Sequence, residues 1–251
     1  LLFQPLEPNG RMDSMEFSEA HLIARPTDFF IDCGKTLKSQ ASLIQTHWKT
    51  ESWNAALHGT HTTVIGDTAK VFMAPGARVV ASTLNTEDGP IFIGPNAEIQ
   101  EGSHIRGPFL LDEKSVIKMG SRVYGPTAIG PHCRIGGEVS NSVLLGFSNK
   151  GHDGFLGNSV IGHWCNLGAD SNTSNLKNNY SDVRLWDAAS SSMQPTGLQF
   201  CGLIMGDHSK CAINTMFNTG TIVGNACVLV GHSFVPKHVP SFSWGGDEGW
   251  S

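Results

Sequence analysis

His152 has the sequence setting best suited to chemistry. It stands between Lys150-Gly151 and Asp153-Gly154, and a histidine in a polar, glycine-flanked turn changes charge near neutral pH and can serve as a general base. Asn166 and then Asn175 follow, two amides suited to orienting an amine and a carbonyl. The same residues also read as a solvated turn histidine with stacking asparagines, and spacing alone leaves both readings open.

What must position these residues is a repeat. Ile93, Ile99, Ile105, Leu111, Ile117, Val123, Ile129 and Ile135 recur at a strict period of six. The phase then shifts by two, and Val143, Phe155, Ile161, Leu167 and Thr173 are expected to resume the inward position. After a longer break Met205, Cys211, Phe217, Val223, Leu229 and Val235 carry it on. A period of six is neither the 3.6 of a helix nor simple alternation, so each hexad is a short strand plus a turn. Three hexads make one coil of a parallel β-helix, with the aliphatic residue pointing inward and coils stacked about 4.8 Å apart. Glycine often follows the inward residue, as in Ile129-Gly130 and Leu167-Gly168. On such a prism residues about one coil apart become neighbours, so the segment from about 150 to 175 gathers along one or two edges. Binding sites are expected where the repeat is interrupted: near residues 140 to 143, and at an extruded polar loop over about 176–200 that contains Trp186 and Pro195.

The rest of the chain sets the boundaries. It has 251 residues, 39% hydrophobic and 16% charged, enough for one large or two small domains with a full core. Lysine plus arginine number 17 and aspartate plus glutamate 22, a net charge of −5, and the absence of any basic tract argues against a nucleic-acid partner. No run of 18 apolar residues suggests a membrane span, and no basic region precedes an apolar stretch as in a signal peptide; a cytoplasmic protein is expected. Six cysteines form no CxxC and are expected to be reduced, mostly buried thiols. Residues 1–60 read as an N-terminal fragment with a helical segment in which Leu37, Leu43, Ile44 and Trp48 fall at roughly helical spacing. Residues 61–251 read as the β-helix, with its first rungs near residue 63.

Within this frame GFSNKGHDGFLGNSVIGHWCNLGADSNTSN resembles the acetyltransferase half of the bifunctional N-acetylglucosamine-1-phosphate uridyltransferase/glucosamine-1-phosphate acetyltransferase family. That family carries K-A-G-H, then a tyrosine, then N-I-G-A-G and C-N-Y. Lys150, Gly151 and His152 match the K-x-G-H end, Phe155 stands at the tyrosine, Asn166 to Ala169 match N-I-G-A, and Asn175 matches the asparagine of C-N-Y. FCGLIMGDHSKCAINTMFNTGT and the closing PSFSWGG resemble a divergent branch often labelled sugar or glucose-1-phosphate nucleotidyltransferase, over about residues 60 to 246. The resemblance implies a left-handed β-helix that stacks as a homotrimer, with acetyl-CoA as co-substrate and no metal. It implies His152 as general base, Arg122, Lys150, Asn166 and Asn175 at a sugar phosphate, and Asn166 with Gly231 at the acyl donor. It also implies that residues 1–60 are a linker from, or remnant of, a nucleotidyltransferase domain. This sequence departs from the family at Ser140, where a phosphate-binding lysine is expected, at Phe155, and at Ile213 in place of a serine near the coenzyme. The alternative function is a non-catalytic oligomerisation or regulatory β-helix of a sugar-1-phosphate nucleotidyltransferase.

Other chemistries fit less well. γ-Class carbonic anhydrases use this prism, but their zinc needs two histidines five apart, and no such pair occurs here. His58 and His61 form an HxxH without a third ligand, so a loop is expected there. Acyltransferases of the lipid A type dock an acidic carrier on a basic face, which a net charge of −5 does not favour. Cys211 beside Asp207, His208 and Lys210 suggests a reactive thiol, but its inward register predicts burial.

Overall fold

A computed structural model describes residues 23–54 and 59–251; His58 of the HxxH pair lies outside them. The described chain is mainly β, a left-handed parallel β-helix whose short strands stack into three faces. Face one runs from Val71–Met73 through Ile91–Ile93, Phe109–Leu111 and Thr127–Ile129 to His238–Val239. Face two runs from Gly59–Thr60 through Val116–Ile117, Arg134–Ile135, Asn149–Lys150 and Asn166–Leu167 to Trp244–Gly246. Face three comprises six strands from Thr63–Ile65 to Phe155–Gly157, followed by a three-stranded stack of Asn172–Thr173, Met216–Phe217 and Phe234–Val235. Between these two parts side chains bridge the strands: Phe155 N–H donates to Asn172 Oδ1 at 2.9 Å and Gly157 N–H to Thr173 Oγ1 at 3.1 Å.

The hexad residues make the core. Ile93, Ile99, Leu111, Ile117, Ile129 and Ile135 are fully buried, and Ile105 and Val123 nearly so. The glycines that follow them are required by close approach: a Cβ on Gly130 would lie 2.0 Å from Leu145 O, and one on Gly168 2.4 Å from Ala212 O. Stacked coils leave no room there for a side chain. The corner between faces one and two is lined by small residues, with Ser and Cys alternating. Cys133, Cys165 and Cys227 each donate their N–H to the hydroxyl of the serine one coil earlier, Ser115, Ser148 and Ser209, at 2.8 to 3.0 Å. All six cysteines are free and buried, Cys211 among them. Burial pushes Cys33 and Cys201 up to about 12 and Cys133 to about 11, so these thiols are inert at neutral pH.

The inward register differs from the expected one after the phase shift. Leu144, not Val143, pairs with Ile129 and enters the core; Lys150 pairs with Ile135; and Leu156, not Phe155, pairs with Val139. Val143 is apolar for another reason: it faces outward, under helix α1 (Asp28–Ser39), with Val160 and Ile204. Phe30, Cys33 and Leu37 of α1 pack on these residues, so face one is apolar on both sides. Helix α2 (Ala41–Trp48) follows and buries no residue fully. The 176–200 loop contains an antiparallel hairpin, Arg184–Asp187 with Ser192–Pro195. It folds back on its own prism: Val183 is buried, and the Trp186 ring stacks on His238 at 4.6 Å. Both ends of the solenoid are capped by antiparallel strands, Glu51–Ser52 on face one and Gly249–Trp250 on face two. Such caps protect edges that would otherwise template further pairing.

Candidate active site

A notch in one prism corner creates the cleft at His152. Between faces two and three, the turn from Ile117 to Arg122 and the turn from Lys150 to Phe155 have the same length. The turn between them, from Ile135 to Glu138, is two residues shorter, as the strand registers show. Gly136 and Gly137 form this short turn, where the coils of Gly151 and His152 press against them too closely for a Cβ. The resulting hollow of about 470 Å³ is lined by Lys118, Arg134, Asn149, His152, Asn166 and Ile213, with Gly151 and Leu167 to Ala169.

The arginines of the coils below this hollow differ from Arg134 in their partners. Arg78, Arg106 and Arg122 each face a carboxylate, Arg78 on Glu98 at 3.5 Å and Arg122 on Glu138 at 3.3 Å. Lys118 and Arg134 have no carboxylate partner among the described residues. Arg134 Nη1 donates to the carbonyls of Lys114 and Cys133 at 3.0 and 3.1 Å, and Lys118 Nζ reaches to within 3.7 Å of where a Cβ on Gly151 would stand. Among the described residues no Asp or Glu lines the cleft. In a chain of net charge −5 this is a local cationic site, suited to an anion such as a phosphate. The His152 ring is exposed on its turn. The asparagine amides of Asn149 and Asn166 flank it from face two.

Lys150 is not at the cleft surface. The family motif places its lysine three residues before the histidine, a position held here by exposed Asn149. Lys150 is one residue later, and on a strand one step turns the side chain to the other face. Its side chain is 2% exposed and lies inside the prism, where Nζ donates to Gly136 O at 2.9 Å and to His152 O at 2.6 Å. Burial pulls its pKa down from 10.5 to about 8, against the favourable pull of Asp153 and Asp170.

The other residues singled out from the sequence lie apart. Arg122 is two coils away on face three, paired with Glu138 and lining a separate hollow with Arg106 and Tyr124. Ser140 is registered beside Tyr124 and not beside Arg122, because these coils have 16 and 17 residues instead of 18. Asn175 Nδ2 donates to Asn158 Oδ1 at 2.8 Å, and the Phe155 ring and the Asn175 amide both lie over Gly157 on face three. Gly231 is on the same corner as His152, three turns higher, in a cleft with Asp247, Phe234 and Trp250. There Asp247 accepts the N–H groups of His232 and Ser233, which hold its carboxyl below the usual carboxylate range. Ile213, 64% exposed, lines the His152 cleft where the family has serine. Lys118, Arg134 and Asn149 were not singled out from the sequence; their signal is that they flank a corner where the hexad phase breaks.

No family model matches the sequence. The chain is 28% identical over 162 residues to the Bifunctional protein GlmU of Synechococcus elongatus, covering 62% of this chain and 32% of that protein. To the Bifunctional protein GlmU of Methanocaldococcus jannaschii it is 28% identical over 104 residues, 41% of this chain and 25% of that one. The chain thus spans a quarter to a third of the length of the curated relatives it matches. Among solved structures, the polySia-specific acetyltransferase NeuO aligns over 77% of this chain and 82% of its own, with 13% identity and a TM-score of 0.41.

Proposed function

We propose that this protein, whose sequence is similar to the GlmU proteins over up to 62% of its length, is an acetyl-CoA-dependent N-acetyltransferase acting on an amino-sugar phosphate such as glucosamine-1-phosphate. The observation that carries the proposal is the cleft itself: an exposed imidazole in a hollow with two cations that no carboxylate neutralises. Those cations suit a phosphate. The imidazole suits the amine of the same small molecule.

In this reading His152 removes a proton from the substrate ammonium or the attacking amine as the nitrogen forms its bond to the thioester carbonyl carbon. Asn166 and backbone N–H groups of the turn stabilise the oxyanion of the tetrahedral intermediate. The carbon–sulfur bond then breaks, and the proton held on His152 passes to the departing thiolate. The balance is one amide and one thiol from one amine and one thioester, and no step needs a metal. The acyl donor is laid along the corner from the Gly231 cleft down to His152, a path of about 14 Å at ~4.8 Å per coil. Lys118 and Arg134 take the sugar-phosphate role that the resemblance gave to Arg122 and Lys150.

Three further proposals accompany this one. Prisms of this kind associate through their flat faces, so a homotrimer is proposed, with light scattering at micromolar concentration as its test. Residues 1–60 are proposed as the connection to a nucleotidyltransferase half in a longer chain. Six free thiols favour a reducing compartment such as the cytoplasm.

The deciding experiment is thiol release from acetyl-CoA in the presence of glucosamine-1-phosphate, comparing wild type with His152→Ala. Release that depends on both the sugar and His152 supports the acetyltransferase. No release from folded protein moves the assignment to the non-catalytic β-helix.

A further inference from the structure

We infer that Lys150 is a positioning residue, which from inside the prism clamps the backbone of the His152 turn and so fixes where the imidazole stands in the cleft. The inference rests on the reading of His152 as a functional residue and adds a part of the site that touches no ligand.

A lysine at this position needs a reason. Its register neighbour on the coil below is Ile135, and the coil above brings Leu167 to the same place; both are fully or nearly fully buried aliphatic side chains. Burying an ammonium among them is costly unless its N–H groups find acceptors. Two acceptors are present, and their identity is informative. Gly136 O belongs to the short turn that makes the notch, and His152 O to the turn directly above it. Lys150 also accepts the Gly136 N–H through its own carbonyl at 2.7 Å. One side chain therefore ties the turn bearing His152 to the turn beneath, across the place where the outer wall is two residues short.

The far side of the His152 turn is held by backbone hydrogen bonds, Glu138 N–H to Gly154 O and Asp170 N–H to Asp153 O, both at 3.1 Å, whereas at Gly151 and His152 the bond from Lys150 is the one hydrogen bond found among the described residues. Gly151 has no atom closer than 3.7 Å to where a Cβ would stand, whereas at Gly136 the space is filled to 2.7 Å. Packing therefore does not demand a glycine at position 151. No group among the described residues hydrogen-bonds the His152 ring, so the ring's place is set by its backbone. Asp153 in the same turn and Asp170 in the turn above face the ammonium and favour its charge. Ile135 and Gly136 below and Leu167 above bring no titratable group, while Lys118 and Arg134 lie outside, in the cleft.

The test is Lys150→Met in the full chain. Methionine is unbranched, one atom shorter than lysine, and suits an inward apolar position. The expected result is a folded protein whose amide exchange at His152, Asp153 and Gly154 is at least ~10-fold faster than in wild type. Its kcat for thiol release falls by about 10-fold while KM for glucosamine-1-phosphate stays within about twofold. A raised KM with unchanged kcat would make Lys150 a ligand contact and overturn the inference, as would unchanged exchange. If wild type releases no thiol, the acetyl-transfer reading fails, but amide exchange still decides on the clamp. Should the variant not fold, Lys150→Gln is measured in its place, and amide exchange at His152 and Asp153 as slow as in wild type would overturn the inference.

Discussion

The coils spanning residues 91–135 and those spanning 136–175 use one repeat to opposite ends. In the first stretch each coil has 18 residues, every inward hexad position is aliphatic and buried, and Arg106 and Arg122 are matched by carboxylates on the surface. In the second the coils shorten: Arg134 to Asn149 is 15 residues, and one inward position is a lysine. The outward cations bordering it are unmatched. Regular stacking pairs these arginines with carboxylates and leaves them no free charge for a ligand. Removing residues from one turn breaks that closure locally, without cost to the coils on either side, which still pair strand by strand. A solenoid can thus acquire a site by deletion as readily as by insertion.

The sharpest separation of the two regions is expected from His152→Ala. Loss of the general base is predicted to lower turnover by about 10² to 10⁴-fold with an unchanged thermal midpoint, read by thiol release and calorimetry. Restoring the regular turn length makes a second test of the same size: inserting Ser-Asn between Gly136 and Gly137 fills the notch and is predicted to abolish turnover while the protein remains folded. Activity surviving that insertion would detach the site from the shortened turn.

The reverse pattern is expected in the strict coils. Ile117→Ala removes a fully buried side chain and is predicted to cost about 2–5 kcal/mol of stability, measured by denaturant unfolding, with kcat and KM of the remaining folded protein unchanged. A selective loss of kcat in that variant would mean that the two regions are coupled.

Lys150 gives the comparison a pH axis. Its pKa is about 8 in the folded chain against 10.5 for the ordinary group, so folding disfavours its charged form. This penalty is fully present below pH 8 and is relieved as pH rises from 8 toward 10.5. The relief amounts to at most about 3 kcal/mol. The buried thiols act the other way: raised pKa values at Cys33, Cys133 and Cys201 withdraw stability as pH rises above 9. The difference between wild type and Lys150→Met isolates the lysine, and the variant is predicted to be the more stable of the two below pH 8, with the gap closing above it. A gap independent of pH would show that the ammonium is not buried in solution.

The regular coils were legible in the sequence because a single side-chain class at a single period is enough to specify them. The site was legible only in outline. His152 and Asn166 stood out by type and are brought together in the cleft. Its cations did not stand out, since a turn two residues shorter shows in the sequence only as a change of phase. That same change moved the count: 18 residues back from a position in the irregular coils does not reach its neighbour, which is why Arg122 is registered with Glu138 and not with Ser140. Val143 misled for a different reason, because α1 covers face one and makes its outer residues as apolar as the inner ones. Lys150 differed by one position from the family lysine, and in a strand one position is the difference between solvent and core.

The smallest effects expected are those that distinguish one arginine from another. Arg134→Ala and Lys118→Ala are each predicted to raise KM for glucosamine-1-phosphate by about 10-fold, as loss of a charge-assisted contact of about 1.5–3 kcal/mol implies at partial exposure, and to weaken the dependence of KM on salt. Arg122→Ala, which removes only an exposed pair with Glu138, is predicted to change neither KM nor stability beyond about 1 kcal/mol. If instead Arg122→Ala matched Arg134→Ala in KM, the arginine would have to enter the cleft from a second prism. The regular coils of one subunit would then be completing the irregular coils of another.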